Sequence, residues 1–298
     1  MEGIEQSTEL FFRLGIFLVV LFIMALWELF LPRRLLVAQK SRRWASNLIL
    51  VALNICLVRL VIPMTAVGAA MFADSRDWGI LHLVEWPLWF VILLSILAFD
   101  LAIYLQHVMF HAVPLFWRLH MVHHADLDID VTTGLRFHTF EILLSALIKL
   151  AVVLLLGAPA LAVLIFEVLL NATSMFNHSN VKMAGWLDQL MRWFIVTPDM
   201  HRVHHSVIHR ETNSNFGFNL PWWDYLMGTY RAQPEYGHEK MRIGLMKYSD
   251  EKQVDRLPGI LLLPFSSPES SSMLQDEMTE NSSQQISETN GLDLESPR

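Results

Sequence analysis

Charged residues are scarce in this chain, which argues against an ordinary soluble domain. Asp, Glu, Lys and Arg make up 17% of its 298 residues, against roughly 25% in typical soluble domains, and hydrophobic residues reach 53%. The net charge of −7 is misleading, because seven acids and one base lie from Ser266 onward. That leaves the rest of the chain at about −1, so no basic surface for nucleic acid is indicated.

Cysteine is almost absent. The single thiol, Cys56, lies in an apolar run, which excludes an intramolecular disulfide and a thiolate metal cluster. Imidazole and carboxylate groups are therefore the metal ligands that this chain can offer.

Long apolar runs are abundant instead. Residues 10–31, 48–72 and 86–105 are each long enough to cross a bilayer, which takes about 20 residues. The basic loop after the first run, with Arg33 and Arg34, predicts a cytoplasmic position for that loop and the opposite side for the N-terminus. Three crossings would then bring the chain to the cytoplasmic side near residue 105.

A fourth apolar region, 141–177, is interrupted by Gly157-Ala158-Pro159. Each half could form a helix of roughly 22 to 27 Å. Histidine motifs on both sides of this region can share a site only if the number of crossings is even, which predicts a hairpin or re-entrant pair. We therefore expect an all-α integral membrane protein with four to five membrane-embedded helices and a cytoplasmic helical cap that carries the histidines.

Eight of the thirteen histidines lie in three short motifs. Residues three and four apart share one face of a helix, so each motif can aim its imidazoles at one metal position. An HxxxH is followed by two HxxHH motifs, and the histidines are His107, His111, His120, His123, His124, His201, His204 and His205. His138, His178 and His209 are plausible additions, whereas His82 and His238 are expected to lie elsewhere. So many ligands are sufficient for two metal ions.

The position of these motifs at the ends of lipid-facing helices indicates a lipidic substrate. Activation of O2 to attack an unactivated C–H bond would need such a site, and imidazole suits iron. A zinc-dependent membrane hydrolase would need a general-base glutamate, as in HExxH, and no HExxH is present. A membrane metal-binding or transport protein would carry ionisable residues along its spans rather than at one membrane face.

The order of the motifs resembles the fatty acid hydroxylase/sterol desaturase superfamily. The resemblance covers residues 99–230 and includes Thr-Pro-Asp-Met-His-Arg-Val-His-His-Ser around the second HxxHH, Phe-Asn-His-Ser-Asn at 176–180, Asn-Phe-Gly at 215–217 and Trp-Asp-Tyr-Leu-Met-Gly-Thr-Tyr at 223–230. It implies a membrane-bound non-haem di-iron oxygenase that takes electrons from an external donor. The ligands implied by the motifs are His107, His111, His120, His123, His124, His138, His178, His201, His204 and His205.

Several polar residues near the motifs are predicted to support the site. Asp100 shares a helical face with His107 and could hold a ligand. Asp224 could orient an imidazole or lie in a turn, and for Asn215 the turn is favoured. The arginines at positions 118 and 136 are candidates to pair with Glu141 or with a lipid headgroup.

The predicted organisation has three parts: a transmembrane region at 1–85, a catalytic region at 86–265 and a disordered, Ser-rich acidic tail at 266–298. The predicted reaction is hydroxylation or desaturation of a sterol, a fatty acyl chain or a related lipid; the sequence leaves these alternatives open. No GxGxxG motif follows a strand and no haem or flavin domain is recognisable, so an electron-transfer protein or reductase is the expected partner.

Overall fold

The computed structural model describes residues 2–266, with side chains from residue 11 onward, and this part of the chain is helical. Its first two thirds contain α1 (Glu2–Phe30), α2 (Lys40–Val61), α3 (Ala66–Asp74), α4 (Leu88–Ala112), α5 (Pro114–His124), α6 (Thr139–Leu156) and α7 (Ala160–Asn177). Short helices follow: α8 (Gly185–Met191), α9 (Pro198–His204), α10 (His209–Thr212), α11 (Trp222–Met227), α12 (Gly237–Lys240), α13 (Glu251–Val254) and α14 (Leu257–Leu262). Single 3₁₀ turns occur at Ile80–Leu83, Thr133–Leu135 and Leu263–Phe265.

Five segments of the described chain are long and apolar enough to cross a membrane: Phe11–Phe30, Lys40–Asp74, Leu88–Ala112, Thr139–Leu156 and Ala160–Asn177. Their outer surfaces expose large apolar side chains such as those of Phe22, Leu60 and Trp89. A water-soluble protein would not leave so many apolar groups in solvent, and lipid is the environment that they fit. The chain is an integral membrane protein, and the predicted all-α membrane fold is confirmed.

The predicted second span, 48–72, differs from the structure in its bounds and continuity. The helix begins earlier, at Lys40, and is interrupted between Val61 and Ala66 before α3 continues. Pro63 lies in this interruption and has no backbone N–H to donate, so a helix cannot continue through it without losing a hydrogen bond. Thr65 then caps α3 by accepting a hydrogen bond from the backbone N–H of Gly68.

Helices α6 and α7 form the predicted hairpin. Gly157 ends α6 at φ +66°, a left-handed conformation that favours glycine. A Cβ at this position would lie 2.1 Å from the carbonyl oxygen of Trp78, so the segment before the Ile80–Leu83 turn packs directly on the hairpin tip. Each helix has 18 residues, about 27 Å of rise. Because the two lengths are equal, the end of α7 lies at the same end of the bundle as the start of α6.

That end of the bundle also holds the loop between α1 and α2. The carboxylate of Glu28, at the end of α1, accepts hydrogen bonds from the backbone N–H groups of Val131 and Asn180. The side chain of Asn180 in turn binds both backbone groups of Arg34. The basic loop is thereby fixed to the segments that carry the histidine motifs.

Two aromatic or apolar segments after α7 are also helical over part of their length. The segment 186–194 includes most of α8, and Trp186, Trp193 and Phe194 are exposed there. The segment 257–265 contains α14 and a 3₁₀ turn. The first compact unit ends at Pro264, and the acidic tail from residue 267 lies outside the described residues.

Candidate metal centre

Nine of the ten predicted ligands converge in two neighbouring groups. In each group the candidate ligand atoms lie within 4.8 Å of one another. The first group consists of His107, His111, His120, His124 and His204, and the second of His123, His178, His201 and His205. All of them except the partly buried His111 have less than a tenth of their surface exposed.

Helices α5 and α9 each contribute histidines to both groups. In α5, His120 and His124 face the first group while His123 faces the second. In the second HxxHH the pattern is reversed: His204 faces the first group, and His201 and His205 face the second. The two histidine groups are therefore supported by the same helices. The ring centroids of His204 and His205, which belong to different groups, lie 5.6 Å apart.

Helix α9 is well defined at its start. Thr197 accepts a hydrogen bond from the backbone N–H of Met200, and Pro198 occupies the first helical position, where its missing N–H costs nothing. This cap sets the register of the helix and hence the direction of its histidines.

In the second group, ring nitrogens with free lone pairs face one another, an arrangement that a bound cation would stabilise. The Nδ1–H of His123 donates to the carbonyl oxygen of Arg136, and that of His178 donates to the carbonyl oxygen of Ser174. A carbonyl oxygen only accepts hydrogen bonds, so each Nε2 is left with its lone pair. The two Nε2 atoms nevertheless lie 3.0 Å apart. Two lone pairs at this distance repel each other unless a positive charge lies beside them.

Further nitrogens in the groups have no hydrogen-bond partner among the described residues. They are Nδ1 of His201, Nε2 of His204 and both ring nitrogens of His205. Buried polar atoms are nearly always paired, so this set of unpaired ring nitrogens in one place fits a site that binds a metal ion. The donor set consists of imidazole, which fits iron as well as zinc or copper.

Burial keeps these imidazoles neutral and therefore able to bind metal. It lowers the pKa of His123, His201, His204 and His205 well below the ordinary value, and neighbouring histidines lower it further. Burial likewise lowers the pKa of His178 from 6.5 to about 3. A protonated imidazole cannot donate a lone pair, so this shift favours metal binding at neutral pH.

Acceptors outside the groups fix the orientation of several rings. The carbonyl oxygens of Phe216 and Ser214 accept from Nδ1 of His107 and His204, both at 2.8 Å. A carboxylate performs this role once: Oε1 of Glu141 lies 2.7 Å from Nδ1 of His120. Sequence reasoning did not predict this pairing, although a glutamate three residues after His138 was visible at the start of α6.

Aromatic rings surround the groups and limit access of water. Phe137 stacks on His123 with a centroid distance of 4.5 Å, and Phe110 stacks on His120 at 5.7 Å. Phe216 contacts His107 in a T-shaped arrangement, and Phe218 packs at a tilt against His201. The dry surroundings strengthen electrostatic interactions inside the site.

The remaining histidines lie outside both groups. His138, the tenth predicted ligand, caps α6 by accepting from the backbone N–H of Phe140, and its Nε2 lies 3.3 Å from the carbonyl oxygen of Leu261. His209 contacts Asn213, which in turn contacts His111. His82 packs at the hairpin tip beside Gly157, at the other end of α6.

Asp100 and Asp224, two of the residues predicted to support the site, act on the imidazoles through a neighbouring backbone segment. Asp100 does not touch a histidine; it accepts hydrogen bonds from Asn219, the backbone of Leu220, and Trp223. Asp224 accepts from the backbone N–H groups of Phe216 and Gly217. Both carboxylates thus hold the 216–223 segment, whose Phe216 carbonyl binds His107.

Asn215 and the two arginines have structural roles. Asn215 adopts φ +53° and binds the backbone at Met200 and Arg231, as the turn interpretation expects. Arg118 and Arg136 do not pair with Glu141, which faces His120 instead. They donate to backbone carbonyls, because their helix and loop positions direct them toward the ends of neighbouring segments.

Comparison with known proteins agrees with this geometry. The fatty acid hydroxylase family model matches residues 92–229. The ornithine lipid hydroxylase OlsE of Rhizobium tropici is 32% identical over 151 residues, which is 50% of this chain and 44% of that protein. Alkylglycerol monooxygenase of Xenopus tropicalis is 26% identical and cholesterol 25-hydroxylase of Rattus norvegicus 27% identical, over 53% and 48% of this chain.

The matches cover less than half of each relative: 44%, 35% and 47% of their lengths, respectively. No solved structure matches the chain significantly. The matched segment nevertheless runs from α4 to α11 and contains all nine converging histidines. The resemblance seen in the sequence is thereby confirmed: residues 92–229, which carry the histidine motifs, match the fatty acid hydroxylase family.

Proposed function

We propose that the chain is a membrane-bound non-haem di-iron oxygenase that uses O2 to hydroxylate or desaturate a lipid hydrocarbon. The observation that carries the proposal is the pair of buried histidine groups, five and four ligands strong, at one end of apolar helices. Bound iron would supply activation of O2. The superfamily and the three lipid-modifying relatives support the same reaction class.

The protein's own residues would bind the irons, orient the imidazole rings and keep water away from the site. The nine converging histidines would hold the two irons, and Glu141 would fix the ring of His120 through Nδ1. Phe110, Phe137 and Phe216 would exclude water from the metal pair. A hydrolytic zinc site needs three protein ligands and an open position, which is fewer than either group offers.

Metal analysis of the purified full-length protein tests this proposal. Iron-supplemented protein should contain about two irons per chain, a count that follows from the two groups. Because His204 belongs to the first group and His123 to the second, His204→Ala and His123→Ala should each lose iron. His82→Ala, at the hairpin tip, is the matched control and should retain it. A single zinc that survives both substitutions would rule out the di-iron site.

Activity is a separate readout. The iron-loaded protein, given O2, an electron donor and membrane lipid, should form oxygenated or newly unsaturated lipid detectable by mass spectrometry. The donor is proposed to be an external redox protein, because the sequence has no GxGxxG motif after a strand and no recognisable haem or flavin domain. Lipids unchanged under O2 with a full iron complement would contradict the oxygenase.

The cytoplasmic side is proposed for the histidine end. The basic residues at positions 33, 34, 42 and 43 lie at this end, as the positive-inside rule expects of a cytoplasmic loop. Lys182→Cys in a Cys56→Ser background provides the test. An impermeant maleimide should label this position only after the membrane is opened to the cytoplasm, and labelling from the outside would reverse the topology.

A further inference from the structure

A cavity of about 740 Å³ lies beside α9, outside the two histidine groups. Its wall includes Asp199, which precedes His201 by two residues, about 3 Å of helix rise. The volume is within the range of sites for organic ligands and is far larger than a single inorganic anion needs.

Three acidic and three basic side chains line this cavity, and the acidic ones are already paired. Asp188 lies 2.8 Å from Nε of Arg192. Asp199 binds Arg33 as well as Arg202, and Glu239 binds Arg33 at 3.0 Å. The negative charges of the wall are therefore neutralised within the protein.

Two basic groups remain incompletely paired. Arg192 is only 4% exposed; its Nη1 donates to the carbonyl oxygen of Ala232 and to Tyr230, but its Nη2 has no hydrogen-bond partner among the described residues. Lys182 lines the same cavity and forms no ion pair within the described part of the chain. A buried guanidinium nitrogen without a partner is costly, so an occupant that accepts hydrogen bonds is favoured.

One side of the cavity is lined by exposed aromatic residues. Trp193 and Tyr225 line it, stack at 6.1 Å, and are 66% and 39% exposed. Trp186 and Phe194 lie close by in sequence and are 70% and 66% exposed. Exposed tryptophan and tyrosine are typical of the membrane interface, where lipid headgroups lie.

We propose that this cavity binds the anionic headgroup of a membrane lipid, a phosphate or carboxylate held by Arg192 and Lys182 beside Trp193 and Tyr225. The binding does not depend on the redox chemistry. Only the further step, that the bound lipid is the substrate, rests on the proposed oxygenase function, because α9 joins the cavity wall to the second histidine group.

Titration of the full-length, detergent-purified protein tests the binding, with intrinsic tryptophan fluorescence as the readout. The probes are dioctanoyl phosphatidic acid, dioctanoylglycerol without the phosphate, and inorganic phosphate without the chains. We expect the phosphatidic acid to bind at least about tenfold more tightly than either of the others, which is the effect of one charge-assisted hydrogen bond.

Substitutions locate the site. Arg192→Gln should weaken phosphatidic acid binding about tenfold, and Lys182→Gln about threefold, since an exposed charge contributes less. Lys182 is exposed, and its side chain forms no hydrogen bond or ion pair with the described residues, so its substitution stays informative if Arg192→Gln misfolds. Lys252→Gln, an equal charge change on α13 away from the cavity, is the control and should bind as the wild type does.

Three results would overturn the proposal. Equal affinity for dioctanoylglycerol would remove the role of the anion. Equal affinity for inorganic phosphate would remove the lipid. Wild-type affinity in both cavity variants would place the binding elsewhere. None of these results depends on iron content, so they are distinguishable from failure of the proposed oxygenase.

Discussion

The two ends of the helical bundle are held together by different kinds of contact. At the hairpin tip the core is apolar and built largely from small side chains, with Ala66, Ala69 and Ala70 of α3 packed against Phe99 and Phe166. At the histidine end the buried groups are mostly polar. Their partners come from distant parts of the chain, such as Arg43 with Asp126 and Glu28 with Asn180.

The difference reflects what each end must do. An apolar tip in lipid needs close packing, and small residues allow helix backbones to approach. The histidine end must hold nine imidazoles in fixed directions, which hydrogen bonds with defined geometry achieve and apolar contacts do not. The same chain therefore relies on shape at one end and on directed polar contacts at the other.

Substitution of Arg43 should give the largest effect. Its guanidinium is fully buried and binds Asp126 at 2.6 and 2.9 Å and Asp130 at 2.8 Å, so Arg43→Ala leaves two buried carboxylates without their cation. We expect a loss of about 3–5 kcal/mol in the free energy of unfolding.

The neighbouring Arg42→Ala is the matched control for this variant. Arg42 makes only an exposed pair with Glu251, worth at most about 1 kcal/mol. Thermal unfolding in detergent measures both. Similar losses from the two variants would contradict the view that buried directed contacts hold the histidine end.

Two glutamates, one beside a histidine and one inside the spans, allow a sharper comparison. Glu141 orients His120, whereas Glu167 pairs with Lys149 and Arg13 inside the spans. Glu141→Gln should weaken iron binding about 10–100-fold, as removal of a carboxylate behind a metal-bound histidine does. Glu167→Gln should lower the unfolding temperature, because it leaves two cations inside the spans without an anionic partner. It should leave iron affinity unchanged.

Chelator competition and thermal unfolding, measured on both glutamate variants, separate these effects. If Glu167→Gln released iron as readily as Glu141→Gln, the two ends would not be energetically separate.

A glycine beside the site gives a smaller effect. A Cβ at Gly134 would lie 2.3 Å from the carbonyl oxygen of Ser174 and 3.1 Å from Nδ1 of His178. Gly134→Ala should therefore displace the end of α7, at a cost of about 1–3 kcal/mol and with reduced iron occupancy.

Gly185→Ala is the control for this variant, since nothing lies within 4 Å of a Cβ there. Thermal unfolding and iron analysis of the pair are the measurements. Equal behaviour of the two variants would show that the close approach at Gly134 is not required.

The sequence contained enough information for the spans and for the convergence of the histidines. Apolar runs of sufficient length identified the spans, and Gly157 identified the hairpin turn. The spacing of the HxxxH and HxxHH motifs showed which imidazoles share a helical face. In these cases the relevant contacts follow from local periodicity, within one helix or across one turn.

Contacts between distant segments were the part that local patterns could not supply. No local pattern indicates a partner for Arg43, yet it binds Asp126, 83 residues away. Arg118 and Arg136 were candidates to pair with Glu141 or with a lipid headgroup, whereas the structure pairs Glu141 with His120. The helix break near Pro63 had a visible signal, the proline itself, within an apolar run that otherwise favoured one span.

The smallest expected effect concerns His238, which lies at the histidine end but outside both groups. Burial is the main cause that lowers the pKa of His238 from 6.5 to about 3, with nearby Arg202 and Arg33 adding to it and Asp199 opposing it. Above pH 6.5 the imidazole is neutral in both the folded and the unfolded chain, so it contributes nothing to the pH dependence. Between pH 6.5 and about 3 only the unfolded chain takes up the proton, so stability falls with falling pH.

His238→Gln should remove one such contribution, up to about 1.4 kcal/mol per pH unit below 6.5. Thermal unfolding of the wild type and the variant between pH 7.5 and 5 provides the measurement, and the quantity of interest is the difference between the two slopes. The buried histidines of the two groups are common to both proteins and cancel in this difference. A shallower decline in the variant would show that the polar end, unlike the apolar hairpin tip, makes the fold sensitive to acid; parallel curves would show that His238 remains accessible to protons in the folded state.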